Sequence, residues 1–214
     1  MDIKDRKFSL KAPIWEFGQN GGIIRPMNRD VMFRNLVAIG TLLTKHKIRW
    51  WLSHGTMLGA YRENNFIEWD DDADIGLDMR DREKIYEVYK EARALGFFIP
   101  PEAKKDTTVV PDKAPYYDSV FIKQGEKIEG WWYDRKMIYN KKKKKKEYFY
   151  IYDEFRSGWS LKHPVKFYDE LKTFKLRGTE FPCPNHIEGW LVHFYGEGWD
   201  TPDKKKKYNH HDHE

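Results

Sequence analysis

Four carboxylates fall within five residues at Asp70, Asp71, Asp72 and Asp74, directly before the apolar strand signal Ala73 to Leu77. In an extended chain side chains alternate between faces, so Asp72 and Asp74 point to the same side. Two carboxylates a few ångströms apart repel, and a divalent cation between them removes that cost. Few, hard oxygen donors suit Mg²⁺ or Mn²⁺ shared with substrate phosphates. A bare run of acids is more often a solvated turn. Here the pair is flanked by apolar residues, and a Gly-Thr turn stands sixteen residues before it.

That turn lies in Ser53-His54-Gly55-Thr56-Met57-Leu58-Gly59-Ala60-Tyr61-Arg62, which follows the short aromatic and β-branched run Ile48 to Leu52. Gly55 and Gly59 in a strand-to-helix turn would bring bare backbone N–H groups close to a ligand. A helix starting near Thr56 would add its positive end, making a phosphate-binding turn. A phosphate cradle beside a metal-binding pair is a working combination for phosphoryl or nucleotidyl transfer, where positioning and charge neutralisation supply most of the catalysis. His54 either meets a phosphate or the acceptor or fills a structural place beside the glycine turn. Asp70 and Asp71 either orient the pair from behind or cap the turn.

The elements that must hold these residues are legible as patterns. Val31, Met32, Phe33, Leu36, Val37, Ile39, Leu42 and Leu43 recur at helical spacing and predict an amphipathic helix from about Asn28 to His46. Asp78 to Asp81 predict a helix cap, and Ile85, Val88, Tyr89, Ala92 and Leu95 a helix ending at Gly96. Strands are expected at Phe97 to Ile99, Ser119 to Ile122 and Lys127 to Tyr133, the last two joined by a Gln-Gly turn. A late hairpin over Thr173 to Pro184 and a last helix over Asn185 to Gly196 follow. The pattern predicts one α/β domain, in the mixed α+β sense, with a small mixed β-sheet flanked by helices. Residues 1–28 read as a loosely structured lead-in and 204–214 as a frayed tail.

The 214 residues hold 39 Lys and Arg against 34 Asp and Glu, a net charge of +5. Ten of the lysines lie in Lys141 to Lys146 and Lys204 to Lys207, and without them the balance is 29 minus 34, or −5. A general basic face for nucleic acid is therefore not expected; two local basic patches are. The run at Lys141 to Lys146 reads as a solvated loop, with an anchor for an anionic acceptor as the sharper alternative. Trp131, Trp132, Tyr133 and Trp159 read mainly as core, otherwise as platforms for a sugar or base. The single cysteine, Cys183, allows no intramolecular disulfide, and a packing role is expected of it. His210, His211 and His213 resemble a metal-binding tract by composition alone. No apolar run approaches the ~20 residues of a spanning helix and no signal peptide is seen, so a soluble, cytoplasmic protein is expected.

The stretch WWLSHGTMLGAYRENNFIEWDDDADIGL resembles the signature of the LicD and fukutin-related family, a Gly-Thr-Leu-Leu-Gly-Ala-x-Arg turn followed by Phe-Ile-Pro-Trp-Asp-Asp-Asp-x-Asp-Ile. Glu68 stands where that pattern has proline. FPCPNHIEGWLVHFYGEGWDTP resembles the family's closing Tyr-Gly-x-x-Trp-x-x-Pro element. The resemblance implies a nucleotidyltransferase-type fold and transfer of a phosphorylated alcohol, such as phosphocholine or ribitol phosphate, from a CDP-linked donor to a glycan acceptor. It implies Asp72 and Asp74 as ligands of Mg²⁺ or Mn²⁺. Glu129 is the best match to the family's third carboxylate, with Asp134 in reserve. Gly55 and Thr56 would hold donor phosphate, and Arg62 would neutralise a phosphate oxygen. Nucleotidyl transfer from an NTP with release of pyrophosphate is an alternative, as is a non-catalytic module binding glycan or polyanion.

Overall fold

The computed structural model describes residues 26–100, 119–140, 143–154 and 159–203. The tail over 204–214, nearly all of the lead-in and the three tail histidines lie outside the described residues. Helix α1 (Arg29–Lys45) opens on Asn28, whose side-chain oxygen accepts from the N–H groups of Asp30 and Val31. Such a cap is worth about 1 kcal/mol. Strand β1 (Trp50–Leu52) leads into α2 (His54–Glu63), and β2 (Asp72–Asp78) into a 3₁₀ turn over Met79–Lys84 and α3 (Ile85–Ala94). Asp78 caps that turn by accepting from the Arg80 N–H. Then come β3 (Ser119–Lys123), β4 (Glu126–Asn140), β5 (Lys145–Glu154) and β6 (Trp159–Pro164). A short hairpin, β7 (Lys172–Leu176) and β8 (Thr179–Cys183), and a last helix, α4 (Ile187–Tyr195), close the order.

The main sheet has six strands in the order β1-β2-β4-β5-β6, with β3 also on β4. The pairing of β2 with β4 is parallel and the others are antiparallel. The sheet is therefore mixed, as the sequence predicts. Gln124 and Gly125 turn the β3–β4 hairpin with positive φ at both positions, the conformation that a two-residue hairpin loop favours. At Phe97 to Ile99 the structure has an isolated bridge from Phe98 to Ile122 in place of the expected strand. In the opposite sense, β4 runs to Asn140 and brings Lys145 and Lys146 into β5, where a loop is expected. Lys143 to Lys146 are exposed.

Alternation gives the first half of the sheet two different faces. Trp50, Leu52, Ala73, Ile75, Leu77, Ile128 and Trp132 are buried on the face towards α1 and α3. On this side Trp50 donates to Thr44 of α1, while Tyr89 of α3 and Trp132 meet at the Ser119 hydroxyl. The other face carries Trp51, Asp72, Asp74, Gly76, Asp78, Lys127, Glu129, Trp131 and Tyr133. Trp51 packs there among Tyr133, Tyr150 and Tyr168 in tilted and edge-on contacts, and a Cβ on Gly76 would lie 2.2 Å from the Trp51 ring. Glycine at that position lets the indole lie flat on the sheet. Cys183 is buried in β8, and burial pushes its thiol up to about 12, which fits packing and not chemistry.

Candidate active site

The parallel register of β2 and β4 sets Asp72 against Lys127 and Asp74 against Glu129. Two carboxylates from one strand and one from its neighbour thus meet on a single face. Oxygen atoms of Asp72, Asp74 and Glu129 all lie within 4.8 Å of one another. That spacing suits an octahedral ion with oxygen ligands about 2.1 Å away, so the donor set fits Mg²⁺ or Mn²⁺. Asp70, Asp71 and Asp72 form a second such group, sharing Asp72 with the first. Asp134, five residues along β4, points to the opposite face from Glu129 and pairs with Lys136.

Asp74 is 8% exposed and is fixed from three directions. The Trp131 indole N–H donates to its Oδ1 at 2.8 Å, its own N–H donates to the Thr56 hydroxyl at 2.7 Å, and its carbonyl accepts from the Ser53 N–H at 3.2 Å. Burial, then the charge of Asp72, hold its carboxyl well above the usual range, against the pull of the Trp131 hydrogen bond. Burial, then Asp72 and Asp71, push Asp70 up to about 7. Burial and Asp72 likewise raise Asp71. Repulsion among these carboxylates therefore outweighs the attractions on Asp70, Asp71 and Asp74.

Helix α2 aims its first turn at this cluster. A Cβ on Gly55 would come 2.6 Å from Asp70 Oδ2 and 3.8 Å from Asp74 Oδ2, so glycine gives the carboxylates room beside the helix N-terminus. His54, just before it, has a positive φ of 42°, and its ring sits against Trp131 and Phe194 with centroids at 5.2 and 4.7 Å. Thr56 is buried, and its hydroxyl is turned to the backbone of Asp74 where a donor phosphate is expected. Its task here is to fix β2 on α2. Arg62 lies eight residues along the helix from His54, about 12 Å at the helical rise. There it donates to the Trp199 carbonyl and to Glu63, and the structure does not bring it into the carboxylate cluster.

Sequence reasoning passed over Lys127 and gave Trp131 mainly to the core. The signal for both is period two: once Glu129 is a candidate ligand, the residues two before and two after share its face. Lys127 Nζ stands 2.8 Å from Asp72 Oδ2 and 2.7 Å from Glu129 Oε1. Burial works against its charge, yet Glu129 and Asp72 hold the ammonium above the ordinary lysine range.

Residues 47–186 match the profile of the LicD/FKTN/FKRP nucleotidyltransferase domain. The chain belongs to the LicD/FKTN/FKRP family. The span of this LicD-family chain that matches the nucleotidyltransferase domain includes Gly55, Asp72, Asp74 and Glu129. Over 58 residues the chain is 38% identical to uncharacterized protein RP689 of Rickettsia prowazekii and 40% identical to uncharacterized protein RT0683 of Rickettsia typhi. Each match takes in 27% of this chain but only 22% and 19% of those proteins' own length. Among solved structures, the antibiotic-resistance factor ANT(2'')-Ia is similar at a TM-score of 0.44 and 10% identity, over 85% of this chain and 80% of that one. Among the described residues no helix is long and apolar enough to cross a membrane.

Proposed function

We propose that this LicD-family chain transfers a phosphorylated alcohol, of the phosphocholine or ribitol phosphate type, from a CDP-linked donor to a glycan acceptor. The observation that carries this reading is the meeting of Asp72, Asp74 and Glu129 on one sheet face, beside the N-terminus of α2 at Gly55. Those three carboxylates are the proposed ligands of Mg²⁺ or Mn²⁺. When bound, the cation supplies charge stabilisation at the phosphoryl oxygens and the leaving CMP.

The chain's own groups do the rest. Backbone N–H groups at the start of α2 bind phosphate. Trp131 and Thr56 hold Asp74 in place, and Trp131 and Phe194 hold the His54 ring beside Gly55. The acceptor hydroxyl attacks phosphorus and gives its proton to a carboxylate of the cluster. No covalent enzyme intermediate is needed.

The test is calorimetric binding of CDP-ribitol, CDP-choline, CDP-glycerol and CTP, with and without Mg²⁺ or Mn²⁺, to the wild type and to the double variant Asp72→Asn, Asp74→Asn. Metal-dependent binding of one CDP-alcohol, lost in a double variant that still melts cooperatively, is the expected outcome. Preference for CTP over every CDP-alcohol would move the reaction to nucleotidyl transfer with pyrophosphate as the leaving group. Turnover unchanged in the double variant would sink both readings.

A further inference from the structure

We propose that Lys127 is an exchangeable internal counter-ion of the carboxylate cluster: it fills the gap between Asp72 and Glu129, gives that gap up to the divalent cation, and takes a phosphate oxygen of the donor instead. This deepens the transferase reading above and rests on it. The register fixes the arrangement, because Lys127 faces Asp72 across the strand pair and lies on the same face as Glu129. Its ammonium, at 2.8 and 2.7 Å from the two carboxylates, occupies the position where a cation is electrostatically favoured.

Two further observations separate exchange from a fixed structural salt bridge. The first is exposure. The Lys127 side chain is 31% exposed and those of Asp72 and Glu129 are 18% and 21%, whereas Asp74 is at 8%. The amine and its two partners are therefore the more exposed part of the cluster. The second is contrast along the same strand. Asp78, on the same face of β2, is 1% exposed and is neutralised by Arg49 and Arg80, with Arg80 bound to both of its oxygens at 2.9 and 2.6 Å. There a buried carboxylate is held by one guanidinium fork, from Arg80, and a further bond from Arg49. At Asp72 and Glu129 the partner is the flexible point charge of Lys127, and lysine has the stem and the compact head needed to move away.

The signs of the two effects differ. Removing the ammonium leaves the metal no resident cation to displace and a more negative site, so metal affinity rises; the donor phosphate loses a cationic partner, so its affinity falls. A merely structural lysine predicts the reverse for metal, because Asp72 and Glu129 would splay apart without it. The probes are Mn²⁺ alone, and CDP at saturating Mn²⁺, since CDP carries the diphosphate common to every CDP-linked donor. Titrated into the full chain, Mn²⁺ should bind about tenfold more tightly to Lys127→Met than to wild type, and CDP about tenfold more weakly, the scale of two partly buried ion pairs. Lys127→Gln, measured in parallel with thermal melts of both variants, guards against a local packing artefact. Unchanged or weakened Mn²⁺ binding in both variants overturns the proposal while leaving the transferase reading intact. If the wild type binds Mn²⁺ no better than Asp72→Asn, Asp74→Asn, the metal site itself is refuted and the role of Lys127 falls with it.

Discussion

Asp70 and Asp74 are held in a state that an isolated carboxyl would not choose, and that cost has a pH dependence. Asp70 is pushed up to about 7, from an ordinary value of 3.8, by burial and by Asp72 and Asp71. The native protein therefore binds this proton more tightly than the unfolded chain does. Between those two values its stability increases as pH falls, and above them the full repulsion is present, at most roughly 4 kcal/mol from this group. Asp74 shifts in the same direction. A divalent cation relieves the repulsion only when the protons are gone. Adding Mg²⁺ or Mn²⁺ should therefore raise the melting temperature clearly at about pH 8 and much less at about pH 5.5. Scanning calorimetry at both values, with and without metal, checks this; an equal rise at the two would mean that these carboxyls do not hold the ion.

Among the elements, α2 works at both ends. Its start faces the carboxylates, while its middle packs tightly enough to leave no room for a side chain at Gly59. A Cβ there would lie 2.6 Å from the Asn65 carbonyl and 2.9 Å from the Ile67 N–H nitrogen, both backbone atoms that cannot swing away. The sequence suggests Gly59 as part of a phosphate turn; the structure makes it the contact that lets the 64–67 loop fold back under the helix towards Asp70. Gly59→Ala is expected to cost about 1–3 kcal/mol and to lower turnover through the displaced carboxylates; chemical denaturation is the direct check, and a change below a few tenths would contradict the packing. Helices α1 and α3 were legible because their apolar spacing is local, and β2 because its odd positions are apolar. The extension of β4 beyond Tyr133 was not, since Asp134, Arg135 and Lys136 break the strand pattern and only the pairing with β5 continues it. Lys127 was legible only in part, because period two places it on the face of Glu129 but not against Asp72. Its role depends on a parallel register between strands over fifty residues apart, which no local pattern encodes.

On the scale of the whole molecule, the two stretches that resemble the family are tied together away from the carboxylates. Arg62, the last residue of the first motif, has a side chain only 7% exposed, and it donates to the carbonyl of Trp199 in the closing motif at 3.3 Å and to Glu63 at 2.7 Å. Beside it the Tyr61 ring meets those of Trp199 and Phe174, each at 5.5 Å, and its hydroxyl donates to Glu188 of α4 at 2.5 Å. The far end of α2 is thus clamped between β7, α4 and the segment after it, and this clamp keeps the near end aimed at the site. Arginine here acts on the fold, by satisfying a backbone carbonyl and a carboxylate with one fork of donors. Arg62→Met keeps much of the volume and removes those bonds. It should lower stability by about 1–3 kcal/mol and raise proteolytic cleavage around Trp199, with CDP affinity at saturating Mn²⁺ within about twofold of wild type. A variant that melts like the wild type but loses CDP would instead put the guanidinium on the donor phosphate, as the family resemblance alone implies.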